Sequence, residues 1–292
     1  MQSKKLKVGR IPYANLFPIF HYLDEKCNGT PYRFVEGVPS KLNRMLREGE
    51  LDISPSSSIE YLRNKGRYRI LPWFSISSTG PIKSILLFSN STIEELGGKT
   101  IAVTADSESS VALLKVVVGK FYSLKCRFSK VNKRSVINIL KDYPAVMLIG
   151  DTAMLEAQKV TKSYESRVKS KNSDSELETP DSKLHIYDLG ELWDKHTGLP
   201  FVYALWVVRR GVTSEKKDLI EKLSRDLLEA NKYAVKRFPR IAGAAPQTKW
   251  IGEKELVSYW NLISYDFTDR HLEGLRLFEK LALKKRSNSR QK

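Results

Sequence analysis

Cysteine is scarce in this chain. There are two in 292 residues, Cys27 and Cys126, far apart and without a CxxC partner. That argues against a disulfide scaffold and fits a reducing cytoplasm. The amino-terminal stretch MQSKKLKVGRI lacks the apolar core of a secretory leader, so a cytoplasmic protein is expected. No uninterrupted apolar run approaches the ~18 residues of a membrane span. The four histidines, His21, His185, His196 and His271, are scattered and form no HExxH or metal pair. There is no P-loop, no GxGxxG after a strand, and no catalytic triad to be assembled from spacing. Neither a metal nor a cofactor is therefore expected.

Acidic residues are also in deficit. Asp and Glu number 33 against 50 Lys and Arg, for a net charge of +17. Such an excess raises the question of nucleic acid. Here, however, it is spread along the chain, and its densest cluster is the tail KKRSNSRQK, 284–292, read as a solvated or disordered end. Nucleic-acid modules interleave a basic stripe with aromatics or carry a recognisable motif, and neither is present. A basic surface can instead draw in anionic substrates.

What the chain does have is length for two cores and an ordinary composition, 41% hydrophobic and 28% charged. Its first ninety residues alternate strand-like and helical runs: LKVGRI, FPIFHYLDEK, YRFVEG, PSKLNRMLREGE, LDISP, SSSIEYLRNKG and YRILP. Pro18 fits a first helical turn, and Gly49 is placed to end the helix carrying Leu42, Met45 and Leu46. A similar block begins at SILLFS, 84–89. A short helix capped by Ser91 or Thr92 and closed by Gly97-Gly98 leads into KTIAVT, SESSVALLKVVVGKFY, CRFSKV, RSVINILKDY, AVMLIG and DTAMLEAQ. Residues 161–183 are polar with almost no apolar periodicity and read as a mobile surface insertion. HIYDLG and PFVYALWVVRR, 200–210, are strands again, and only helical patterns follow. The layout predicts an α/β protein of two lobes, 1–86 plus 206–292 and 87–205. SILLFS and YALWVVRR would be the crossover strands, with a hinged cleft between the lobes.

One local arrangement recurs four times: a strand, a short polar turn, and a helix. It occurs at RIPYAN, LDISPSSS, IAVTADSESS and VMLIGDTA. In open α/β sheets ligands bind beyond the carboxyl ends of the strands. There, free helix N–H groups and hydroxyls suit carboxylates. Each turn also has a purely structural explanation. Ser57 with Glu60 makes a capping box, Ser107 to Ser110 are good caps, Asp151 can cap the helix after Gly150, and Asn15 is a cap or turn residue. Together, the four turns would point from two half-sheets into one cleft.

These segments resemble a known family. VGRIPYANLFPIF is similar to an opening of the type GRISYLNTLPLF in the menaquinone-pathway enzymes that include chorismate dehydratase and 1,4-dihydroxy-6-naphthoate synthase. LDISPSSSIEYLRN, SISSTGPIKSILLFS, GKTIAVTADSESSVALLK, LIGDTAML and DLGELWDKHTGLPFVYALWVVRR follow in the family's order, so the resemblance spans about 5–283 apart from 161–183. The naphthoate branch carries a histidine segment of the type IHE where this chain has IGDTAM. The match is therefore better to the chorismate-dehydrating branch.

The resemblance implies a type 2 periplasmic-binding-protein fold turned into a cofactor-free enzyme. The reaction implied is chorismate to 3-[(1-carboxyvinyl)oxy]benzoate and water, on the futalosine route. In that reading Asn15 and Ser84 donate to the reacting carboxylate or enolate, and Ser56 and Ser57 bind a carboxylate or the hydroxyl. Thr104, Ser107, Ser109 and Ser110 hold a carboxylate at the second-lobe helix. Asp151 accepts from a substrate hydroxyl or fixes its loop. No base stands out, which leaves the substrate's own side-chain carboxylate. Pro12, Ala14 and Ser56 depart from the family's serine, leucine and valine, and Pro12 stiffens the loop before Asn15. The sister naphthoate synthase and a non-catalytic solute-binding protein are the alternatives. The oligomeric state is left open.

Overall fold

The alternating runs fold into two mixed sheets with helices on both faces. The computed structural model describes residues 5–104, 107–132, 135–170, 184–212 and 214–283, with the main chain alone over 163–170. In these residues the strands are β1 (Leu6–Arg10), β2 (Tyr32–Glu36), β3 (Ile53–Ser57), β4 (Tyr68–Ser78), β5 (Ile85–Ser89), β6 (Thr100–Thr104), β7 (Arg127–Val131), β8 (Ala145–Ile149), β9 (His185–Asp188), β10 (Phe201–Arg209) and β11 (Ser264–Asp266). The first sheet has the order β11-β4-β10-β3-β1-β2 and the second β7-β6-β8-β5-β9.

The two sheets share a logic. In the first, β1 runs parallel to β2 and β3, and in the second β6 runs parallel to β7 and β8. The strand that enters each sheet from the other lobe is antiparallel and central. β10 lies between β3 and β4, and β5 lies between β8 and β9. Strands covered on both faces are apolar wherever their side chains find no hydrogen-bond partner. β8 shows this: Ala145, Met147 and Ile149 join the main core, while Val146 and Leu148 join a smaller cluster on the outer face with Leu86 and Phe88.

Several sequence expectations change here. The runs 84–89 and 203–210 do not bridge the lobes. β5 pairs only within the second sheet and β10 only within the first. A strand buried on both faces pairs along its length, so the change of sheet falls in the unpaired connectors 79–84 and 189–200. Residues 201–205, grouped with lobe two from the sequence, pair in the first sheet. The expected insertion is helical over its first part, because the helix Gly150–Ser170 runs on through it. Extending a nucleated helix adds one hydrogen bond per residue and needs no apolar face. Residues 171–183 and the tail 284–292 lie outside the described residues. β4 continues past Pro72 through an irregularity at Trp73 (φ 68°), where its register against β10 shifts. Bulges are where a strand tolerates proline. β11, three residues long, is too short to show alternation in sequence.

Local signals behaved as their chemistry dictates. Pro39 opens the helix Pro39–Glu48, and Gly49 closes it in the left-handed conformation (φ 82°). Thr92 and Glu95 form a capping box. At Gly9, a Cβ would sit 2.2 Å from the Ser54 hydroxyl oxygen, so glycine is what lets β1 approach β3. Their pairing is confined to Val8 opposite Ile53.

Candidate active site

Where β1 ends, Tyr13 leads into a single 3-10 turn, Ala14–Leu16. The turn is held by groups far away in sequence. Ala14 N–H donates to Asp151 Oδ1 (2.9 Å), Trp260 Nε1 donates to the Ala14 carbonyl (2.8 Å), and the Tyr265 hydroxyl donates to the Asn15 carbonyl. Asn15 itself caps nothing. Its Oδ1 is buried without a partner, an arrangement that buried amides ordinarily avoid. The turn thus presents Asn15 to the space between the sheets with its amide oxygen unpartnered, and Nδ2 is the atom of that amide that can donate.

That space is lined by Asn15, Ser57, Ser84, Ser107 and Ser110, five of the nine residues singled out from sequence. Tyr13, Pro39, Gly150 and Tyr203 contribute to its walls, with Ile11, Ile76, Ile82 and Ile149 as apolar surface. No Lys, Arg, His, Asp or Glu lines it. Its polar groups are neutral, and the N-termini of helices Pro39–Glu48 and Glu108–Val116 face it, a combination suited to carboxylates. The cleft encloses only about 70 Å³, below the ~300 Å³ at which ligand pockets begin. A larger hollow of about 590 Å³ opens behind the connector 79–84, where Met154, Ile186 and Ile251 are joined by the charged Lys83, Asp188 and Lys254, and none of the nine residues singled out from sequence lines it.

Ser84 lies at the end of that connector. Its Oγ accepts from the Tyr259 hydroxyl (3.0 Å), and its carbonyl accepts from Gly150 N–H (2.7 Å). Because Ser84 Oγ is already an acceptor, its own proton is free to point into the cleft. Asp188 fixes the connector. Its carboxylate accepts from the N–H groups of Ile82 (2.9 Å) and Lys83 (2.6 Å) while capping the next helix through Gly190 (2.8 Å). Burial raises the Asp188 pKa, and these three backbone donors, with Glu191 N–H as a fourth, oppose the rise. Burial likewise pushes up the Tyr259 and Tyr203 hydroxyls, which keeps both neutral; Tyr203 bonds Ser78 Oγ at 2.9 Å.

The remaining candidates do other work. Ser57 does not cap its helix. Its Oγ accepts from Asn43 Nδ2 (3.1 Å), and Glu60, its expected capping-box partner, turns instead to Arg47, Asn64 and Tyr68. Ser56 is fully buried, donates to Asn43 Oδ1 (2.6 Å), and stands behind Ser57 rather than in the cleft. Ser107 caps its helix, accepting from Ser110 N–H (3.3 Å) and Ser110 Oγ (3.1 Å). Ser109 joins the lobes: its Oγ accepts from Ile59 N–H (2.9 Å) and lies 3.1 Å from Ser58 Oγ. Thr104 lines a separate outer hollow.

Asp151 also faces away from the cleft. It accepts from Ala14 N–H and from Gln247 Nε2 (3.1 Å), so it fixes the Asn15 turn from the opposite lobe. Desolvation raises its pKa against those two bonds. Beside it, Gly150 has φ 61°, and a Cβ there would press on the Tyr13 ring at 3.2 Å. None of the four histidines lines the cleft, and no cluster of three metal-ligating side chains occurs among the described residues. Sequence reading missed Tyr203, Tyr259, Asn43 and Asp188. A tyrosine or asparagine on a regular element carries no local signal of what its tip will meet.

Two α/β lobes with two connectors and a closable cleft at their strand ends define a periplasmic-binding-protein architecture. Solved structures agree. A protein of Archaeoglobus fulgidus superposes with a TM-score of 0.72 at 18% identity, covering 97% of this chain and 98% of its own. The periplasmic aliphatic sulphonate binding protein of Escherichia coli gives 0.59 at 13% identity, covering 97% and 95%. These show the fold alone. The family is shown by sequence: a family model described as menaquinone biosynthesis matches residues 6–284. The chorismate dehydratase of Thermus thermophilus is 31% identical over 268 residues, 91% of each chain. This chain belongs to that menaquinone biosynthesis family. No helix among the described residues is long and apolar enough to cross a membrane.

Proposed function

We propose that the protein dehydrates chorismate to 3-[(1-carboxyvinyl)oxy]benzoate and water, on the futalosine route to menaquinone. The observation that carries this reading is a cleft lined by neutral donors, with an unclaimed amide at Asn15 and a polarised hydroxyl at Ser84, in a chain similar to a chorismate dehydratase.

Chorismate brings two carboxylates, a ring hydroxyl and an enolpyruvyl ether. The reaction breaks the C–H bond at the ether-bearing carbon and the C–O bond of the hydroxyl. The electron pair left by the proton closes the aromatic ring. The ring carboxylate, conjugated to the carbon that loses its proton, takes up charge as this happens. Asn15 and Ser84 stabilise that charge, with Tyr259 donating to Ser84 so that the serine proton stays committed to the substrate. Preorganised donors in a site without water are the main resource here, at about 3–4 kcal/mol each. Ser107, Ser110 and the helix N-terminus behind them hold a carboxylate, and Ser57 holds the other or the hydroxyl. Apart from Tyr13 and Tyr203, of which burial keeps the Tyr203 hydroxyl neutral, the cleft lining offers no ionisable group. The substrate's side-chain carboxylate takes the proton, which leaves with the hydroxide as water.

Purified protein mixed with chorismate should lose the diene absorbance and yield the aromatic ether. Asn15→Ala should lower turnover by about 10²-fold or more. Binding without conversion would make the protein a solute-binding protein. Turnover of a cyclic futalosine derivative instead would place it with the naphthoate synthases.

A further inference from the structure

A second hollow lies outside the cleft, on the far side of the helix Glu108–Val116. It measures about 290 Å³. Lys115, Lys120 and Lys130 of the second lobe line it, as do Arg63 of the first lobe and Thr104 at the end of β6. Glu108 also lines the hollow, and its carboxylate is taken up by Arg63 at 2.5 Å, so these two charges cancel and the three lysines remain. None of the three lysines has an acidic partner among the described residues; Lys115 Nζ rests 5.1 Å above the Phe128 ring. Thr104 is 4% exposed, and its hydroxyl oxygen is buried with no hydrogen-bond partner. All three lysines are exposed, so their ammonium groups are solvated, but they place positive charge on one hollow whose Thr104 hydroxyl has lost its water without gaining a partner. An oxyanion with several negative charges suits both features.

We propose that this hollow is a binding site for a compact multivalent oxyanion, of the phosphate or pyrophosphate class, held by Lys115, Lys120 and Lys130 with Thr104 donating. Tetrahedral oxyanions present several acceptor oxygens in different directions, which suits point-charge lysines better than a planar fork would. The volume admits a pyrophosphate with its water, and Val111 and Leu281 close one side with apolar surface. Ser107 borders both this hollow and the cleft. The walls come from both lobes, so an anion seated here ties them together in the closed arrangement.

The test is calorimetric titration of the full chain with inorganic pyrophosphate and, separately, with phosphate and chorismate, at fixed ionic strength. Saturable pyrophosphate binding is expected, weakening roughly tenfold or more in Lys115→Gln with Lys130→Gln and measurably in Thr104→Val. Two exposed lysines elsewhere, changed as Lys217→Gln with Lys232→Gln, remove the same net charge and should leave it unchanged. Absence of saturable binding, or equal losses in both double variants, overturns the proposal, since the second result reports net charge only. Pyrophosphate binding retained in Ser84→Ala keeps this site separate from the cleft. Chorismate binding that depends on Lys115 and Lys130, with no pyrophosphate binding, would assign the hollow to the substrate and overturn the oxyanion assignment.

Discussion

Tyr259 and Ser84 offer the sharpest test of how the cleft works. The Tyr259 hydroxyl is fully buried, neutral, and 3.0 Å from Ser84 Oγ. Tyr259→Phe removes that one donor and keeps the ring's packing. Ser84 Oγ then loses its partner and its proton is free to swing toward other acceptors. A net hydrogen bond of this kind is worth about 0.5–1.5 kcal/mol, so turnover should fall roughly 2- to 12-fold. Ser84→Ala removes the donor itself and should reduce turnover by about 10²–10³-fold. Because Tyr259 acts only through Ser84, the double variant should be no slower than Ser84→Ala alone. The coupling energy in the cycle then equals the whole Tyr259→Phe effect. The assay is the initial rate of aromatic product formation, with thermal denaturation of each variant to confirm folding. If Tyr259→Phe slows the Ser84→Ala protein by the same factor as it slows the wild type, the relay is refuted. The same holds if Tyr259→Phe changes KM alone.

Asp151 and Asp188 both have pKa values raised by burial, so the folded protein binds their protons more tightly than the unfolded chain does. Their contribution to stability is fully present below the ordinary carboxylate pKa and is lost as pH rises through the raised folded values. Asp151→Asn keeps an acceptor for Ala14 N–H without the charge. It should flatten that part of the pH–stability curve, measured by urea denaturation from acid to neutral pH; an unchanged slope counts against the assignment. Gly9→Ala drives a Cβ to 2.2 Å from Ser54 Oγ and should lower stability by about 1–3 kcal/mol, with partial recovery on adding Ser54→Gly. An unshifted denaturant midpoint would show that β1 and β3 can separate without loss.

Much of this molecule is local and therefore readable along the chain. The strands β5, β8 and β10 are apolar runs because both faces are covered. Pro39 and Gly49 bracket a helix because one lacks an N–H that the first turn does not need and the other accepts a positive φ. The four strand-turn-helix junctions were visible because polar turn residues interrupt apolar periodicity at each. Which side chain of each junction meets the cleft was not visible. Ser56 and Ser57 are adjacent, yet only Ser57 lines the cleft, because neighbours on a strand point to opposite faces. Ser109 looks like its neighbours in sequence but joins the lobes, since Ile59 and Ser58 happen to face it.

The sequence by itself determined most of the order of elements and the turns that carry polar groups, which follow from hydrogen bonding and burial within a few residues, and the resemblance of its ordered segments pointed to the family. Tertiary structure alone decided that Asp151 holds the Asn15 turn, that Tyr259 polarises Ser84, and that Thr104 belongs to an outer hollow. Each depends on where atoms more than a hundred residues apart, or in opposite lobes, come to rest. That is set by how two sheets pack, and no short stretch of chain encodes it.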